Sequence, residues 1–282
     1  KDIIRQIIVP QLAKEINDAM DVQGGSGISL GPRNLLGRIY QAVPISITVE
    51  GANILTRSLI VFGQGAIRCH PYVFEEIKAA TEADPEKGMQ AFDRAFIAHA
   101  GFFISNVLRS FLLGLSRGRL SFVSGKHGIY HNYIKQINRM SAAFAFLADL
   151  AMLSFGGNLK RKEKISGRFA DCLSNLYIAS STIKHYVDQG NQQADLPLLQ
   201  WSVEDALYRC QIALDGILNN FSNVWLARLA RWIVFPTGLN YRASSDYLGG
   251  KVTEIILQPC ASRDRLTDGI FIPDNAEQTL AR

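Results

Sequence analysis

The sequence predicts an all-α fold. Three observations carry this: apolar residues recur at three- and four-residue spacing over long stretches, strand-like alternation is nearly absent, and Gly and Pro fall in short punctuating segments. With 282 residues, 48% hydrophobic and 20% charged, the chain buries a substantial core and is not disordered.

The elements follow in order. Ile4, Ile7, Ile8, Leu12, Ile16 and Met20 form one helix face, bent or broken near Pro10 and ended by Gly24 and Gly25. Gly31-Pro32-Arg33 marks a turn. A helix starts just after Glu50, because Asn53, Ile54, Arg57, Ser58, Val61 and Phe62 keep helical spacing as far as Arg68. Pro71 opens the next, over 72–83, with Glu75 and Glu76 in its first turns. The short polar segment Asp84-Pro85-Glu86-Lys87-Gly88 is the best boundary, dividing the chain into 1–84 and 85–282. Beyond it lie amphipathic helices over 88–115, 131–155, 162–186, 197–219 and 223–234, with loops at 117–128, 156–157 and 188–196. The tail, 259–282, is polar, and its apolar patch at 269–273 straps over the bundle.

Charge and cysteine usage narrow the function classes. A net charge of +5, not gathered in one block, suits an anionic ligand or lipid surface rather than nucleic acid. Cys69, Cys172, Cys210 and Cys260 lie far apart without a CxxC pair, so reduced thiols on a cytosolic face are expected, with no disulfide framework and no metal site. The nearest approach to a membrane span is 140–159, but Asp149 interrupts it and its small residues fit close packing inside a bundle. The chain opens at Lys1 in what reads as helix, so a start in mid-domain is expected.

The richest chemistry is at Ile47-Thr48-Val49-Glu50-Gly51-Ala52-Asn53. Glu50 follows an apolar, β-branched run and precedes a residue without a Cβ, the setting of a general base at a cavity where backbone comes close. Its other reading is a helix cap. Upstream, Gln23-Gly24-Gly25-Ser26-Gly27 either admits a phosphate close to the backbone or simply stops a helix. No strand precedes it, which excludes the dinucleotide-binding fingerprint.

Other candidates are weaker. Cys69-His70 lacks a third orienting group, and His127 and His131 lack a local acidic or thiol partner. Lys160-Arg161-Lys162-Glu163-Lys164 begins a solvated helix. Over 223–236, Trp225, Leu226, Leu229, Trp232 and Ile233 form one apolar face edged by Arg228 and Arg231. That face lies on anionic lipid, docks to a partner, or is buried in its own bundle.

The glycine cluster, then Thr48-Val49-Glu50-Gly51-Ala52-Asn53-Ile54-Leu55-Thr56-Arg57, then Phe62-Gly63-Gln64-Gly65-Ala66-Ile67-Arg68-Cys69-His70-Pro71-Tyr72, resemble the C-terminal catalytic region of acyl-CoA dehydrogenases, and within that family the bacterial FadE type. The late segments 231–238 and 262–269 fit the same type. The resemblance implies the end of the family's C-terminal helical bundle over 1–84, truncated at its N-terminus, followed by an additional helical domain over 85–282. It implies Glu50 as the base that takes the α-proton of a fatty acyl thioester, Gly51 as a substrate contact through backbone, and FAD held by Gln23, Gly24, Gly25 and Asn53. Asp21 stands where the glycine motif usually has Gln, and Ala52 where many members have a flavin-contacting Thr. Implied partners are fatty acyl-CoA, an electron-transfer flavoprotein and further copies of the chain. The expected location is cytoplasmic, with peripheral contact to the inner face of the plasma membrane left open. The family's other domains are missing from this sequence, so a catalytic fragment is expected. The competing reading is a non-catalytic helical module for membrane-surface or partner attachment.

Overall fold

A computed structural model of the chain describes residues 2–31, 34–48, 53–125 and 128–270. Helices form most of that backbone, and no strand occurs among the described residues. Helix α1 (Asp2–Gln23) runs through Pro10 without ending there. Losing one intrahelical hydrogen bond does not stop a helix held by tertiary contact. It packs against α2 (Leu35–Thr48), which the sequence reading did not anticipate. Val43, Ile45 and Ile47 are β-branched and Pro44 lies inside it, all weak helix signals that packing overrides.

The third helical run is α3 (Asn53–Leu55), a π-helical stretch over Thr56–Gln64, and α4 (Gly65–Arg68). It reaches Arg68 as the spacing predicts, and the π geometry turns Thr56, Ser58, Val61 and Phe62 inward. Next come α5 (Val73–Ala80) and α6 (Pro85–Leu115). Asp84 caps α6 by accepting from the Glu86 and Lys87 amides, with Pro85 at the first helical position.

The core is built by α7 (His131–Phe155), α8 (Glu163–Asp188) and α9 (Leu196–Leu218). Buried Ala143, Ala151, Ala170 and Ala179 let these helices approach closely, while Leu147, Phe169, Val203, Leu214 and Ile217 fill the space between them. Gly156, at φ +51°, ends α7 in a conformation that side-chain-bearing residues avoid. Cys172 and Cys210 are both buried here, with Sγ atoms 2.8 Å apart, and burial pushes the Cys172 thiol up, so it stays protonated.

Helix α10 (Val224–Val234) lies against α6 and α9. Its apolar surface is split rather than gathered on one face. Ala230 and Val234 are buried, whereas Trp225, Leu229 and Trp232 stay exposed. Arg231, at the surface between α10 and α9, pairs with Asp215 at 2.6 Å and donates to Asn219 at 2.8 Å. Two further helices, α11 (Asp246–Leu257) and α12 (Ala261–Leu266), finish the described chain. Residues 271–273 of the apolar patch lie outside the described residues.

An ion pair ties α12 to the start of α9. Arg265 on α12 forks onto Asp195, which precedes α9, at 2.8 and 2.6 Å, and also reaches Ser262 at 3.2 Å. The Arg265 hydrogen bonds hold the Asp195 carboxyl below its ordinary 3.8 against the opposing effect of burial. A carboxyl depressed in the folded state stabilises above its unfolded value and loses that contribution as pH falls through the folded one. Amide exchange over 261–266, corrected for intrinsic rate, should therefore rise on acidification below about pH 4. Asp195→Asn should show the same rise at neutral pH. Protection that is indifferent to both changes would mean that apolar contacts alone hold α12.

Candidate functional site

The glycine turn is built by a residue that the sequence reading overlooked. After α1, Gly24–Gly27 form a 3₁₀ turn, with Gly24 at φ +60°. Buried Asn34 organises it. Its amide donates to the carbonyls of Ser26 at 3.2 Å, Gly27 at 2.6 Å and Ser29 at 3.1 Å, and its Oδ1 accepts from the Gly37 amide at 2.8 Å. One side chain thus caps α2 and fixes the preceding loop. The motif offered a clue, an Asn two residues after Gly-Pro and three before Gly37.

Two features of this turn bear on a ligand. Gly25 is exposed, its φ is not in the left-handed region, and a Cβ there would meet nothing within 4 Å. Gln23 Oε1 is buried without a hydrogen-bond partner. Gly24 is required by the local backbone, but Gly25 is not. Glu50 and Gly51 lie outside the described residues, between α2 and α3. Asn53 is the first residue of α3.

Just beyond, the π-helical stretch is anchored to the core. Arg57 forks onto Asp171 of α8, with Nε 2.7 Å from Oδ1 and Nη2 against Oδ2. Gly167 makes room for it, since a Cβ there would come within 2.8 Å of Arg57 Nη1. Phe62 stacks on Phe169 with ring centroids 4.3 Å apart.

A second constellation gathers residues that local spacing left unconnected. His70 Nε2 lies 2.8 Å from Asp149 Oδ1, and His70 Nδ1 accepts from the Tyr72 and Val73 amides, both at 3.2 Å. His99 Nδ1 meets Glu76 Oε1 at 2.8 Å, while its Nε2 stands 3.8 Å from Asp149 Oδ1. His70 therefore does have an orienting acid, 79 positions away and invisible to local spacing. His131 begins α7, whereas His127 lies outside the described residues.

Residues 67–282 match the family described as acyl-CoA dehydrogenase, C-terminal, bacterial type. The chain belongs to this family. The match runs from the last turn of α4 to the end of the sequence, so it takes in the α7–α9 core, the His70–Asp149 constellation and α12. Its helical architecture is the one seen here. No solved structure matches this acyl-CoA dehydrogenase domain. The glycine turn and the Glu50 motif precede the matched residues.

Proposed function

We propose that this chain is the C-terminal part of a flavin-dependent acyl-CoA dehydrogenase that converts a long-chain fatty acyl-CoA to the trans-2-enoyl thioester in fatty-acid β-oxidation. The family match over 67–282 carries the reading, because it puts an acyl-CoA dehydrogenase domain directly behind the Glu50 motif. Glu50 takes the α-proton, and Gly51 admits the thioester close to backbone. FAD, when bound, supplies the acceptor for the β-hydride. Gln23, Gly24, Gly25 and Asn53 would hold it. The turn suits that role, since it offers an unpaired buried acceptor at Gln23 Oε1 beside a glycine with open space around it. Fatty acyl-CoA, an electron-transfer flavoprotein and further copies of the chain are the partners of this reading.

The intact protein should carry bound flavin whose absorbance bleaches on anaerobic addition of a fatty acyl-CoA. Flavin that stays oxidised would refute the assignment. Gly25→Val separates the turn's two roles, because the fold leaves space for the new side chain. We expect flavin to be lost while the thermal midpoint moves little. Full flavin occupancy in that variant would mean that the turn only ends α1.

A second reading, attachment to a membrane surface, rests on one specific observation. Helix α6 is long and apolar enough to cross a membrane, yet only 17% of its most apolar window is buried. Helix α7 meets the same length and hydropathy test but is one of the three core helices. The open side of α6 joins α10 through Phe111 and Trp232, with centroids 4.7 Å apart, beside Trp225, which is 76% exposed and has the Arg228 guanidinium over its ring. No acidic residue occurs between Asp93 and Asp149, a stretch that carries Arg109, Arg117 and Arg119. Aromatic, aliphatic and cationic groups together suit an anionic bilayer, and this reading puts the protein at the inner face of the plasma membrane. Phosphatidylglycerol vesicles should therefore co-sediment the protein better than phosphatidylcholine vesicles, with less bound at high salt. Substituting Trp225 and Trp232 together by Ser should abolish the difference. Equal sedimentation with both lipids, or with neither, removes this reading.

A further inference from the structure

The His70–Asp149 constellation closes one end of a cavity of about 330 Å³ between the π-helical stretch, α4, α6, α7 and α8. That volume is at the lower end of the range for small-molecule sites. Apart from this polar end its walls are apolar, with Phe62, Phe102, Phe144 and Met152 prominent, and neither Lys nor Arg lines it.

Asp149 is the group out of place. It is 5% exposed, Oδ1 is engaged by His70, and Oδ2 is buried without any partner. A buried, unpaired carboxylate oxygen forfeits its hydration and gains nothing in return, a cost that folding tolerates where a ligand recovers it. A metal ion does not fit. His70 Nδ1 accepts two backbone N–H groups, so the ring proton resides on Nε2 and points at Asp149. Coordination through Nε2 would move that proton to Nδ1, against two donors. Only His99 Nε2 and Asp149 would then remain of the three groups, too few for a closed site.

A hydrogen-bond donor that carries positive charge does fit. With a small turn of the Asp149 side chain its N–H groups satisfy Oδ2, its charge offsets the carboxylate, and the aromatic rings of Phe62, Phe102 and Phe144 in the wall suit its apolar body. We propose that this cavity is a binding site for a small organic ammonium ion, a primary amine on an aliphatic or aryl-alkyl body. His70 is a positioning residue in it, since its Nε2–H holds Oδ1 and leaves Oδ2 for the ligand. The site is separate from the glycine turn and does not depend on the dehydrogenase reading.

Calorimetric titration of the intact protein with hexylammonium, 1-hexanol and hexanoate, three probes of similar size, tests the proposal. Hexylammonium should bind saturably, hexanol about tenfold or more weaker, and hexanoate not measurably, because Asp149 repels a carboxylate. Asp149→Asn keeps an acceptor for His70 but presents an NH₂ group where Oδ2 was, so hexylammonium affinity should fall about tenfold or more. Should that variant fail to fold, Ala145→Phe fills the cavity from its wall, leaves Asp149 in place, and should abolish binding of the amine. Absence of saturable hexylammonium binding, hexanoate binding as tight as the amine's, or affinity unchanged in the folded variants would each overturn the assignment.

Discussion

If the proposed function holds, replacing Glu50 with Gln in the intact protein leaves flavin bound and lowers turnover of fatty acyl-CoA by about 10²–10⁴-fold, the span ascribed to a positioned general base. The amide keeps the shape of the carboxyl group and cannot accept the α-proton. The sequence places Glu50 between the C-terminal end of α2, at Thr48, and the helical run that starts at Asn53. The alternative to a base is a cap of the helix that follows. The measurement separates the two roles, because a cap replaced by its amide loses stability and keeps its chemistry. Turnover within about threefold of the parent, less than 1 kcal/mol of barrier, would remove Glu50 from the reaction.

How much was legible in the sequence depends on the range of the interaction that decides each feature. Helix α7 was readable to its ends because local signals bound it: apolar spacing from His131 to Phe155, then a glycine at positive φ. Helix α2 was not, since Pro44 and its β-branched neighbours argue against helix within any short window, and contact with α1 outweighs them. Helix α11 was missed although Ser245 caps it in the ordinary way by accepting from the Leu248 amide. Spacing alone puts the α10 aromatics on one face, but which face is buried depends on its packing against α6 and α9, which leaves Trp225, Leu229 and Trp232 outside.

The sites divide along the same line. Gln23, Gly24 and Gly25 were legible as a motif, but the Asn34 side chain that shapes their turn acts from beyond the loop. Asp149 was noticed as the acid interrupting an apolar helix and assigned to packing. Its significance lies in His70, His99 and Glu76, three residues from three other segments, which no spacing rule brings together. The buried, unpaired oxygen that marks the cavity is a property of packing between distant segments.

Phe169 joins the core to the π-helical stretch, and Phe169→Ala is expected to cost about 3–5 kcal/mol of stability. Its ring is fully buried, stacks on Phe62 at 13° between planes, and meets the edge of Phe144 with centroids 5.9 Å apart. Truncation leaves a cavity among helices packed too closely to collapse, so the transfer loss and the void add. Against a usual total of about 5–15 kcal/mol this is a large fraction, and the thermal midpoint should fall accordingly. Phe169→Leu keeps much of the volume and loses the stack, so it should cost clearly less. The position of Phe62 adds a functional consequence. It lies in the π-helical stretch that continues the Glu50 motif, with Arg57 and its anchor on Asp171 only five residues earlier. In Phe169→Ala, amide exchange over 56–64 should therefore rise well above that of the distant α11, which keeps its own contacts with α9. A uniform loss of protection along the chain would show instead that the bundle opens as one unit. The motif segment would then draw no particular support from this ring.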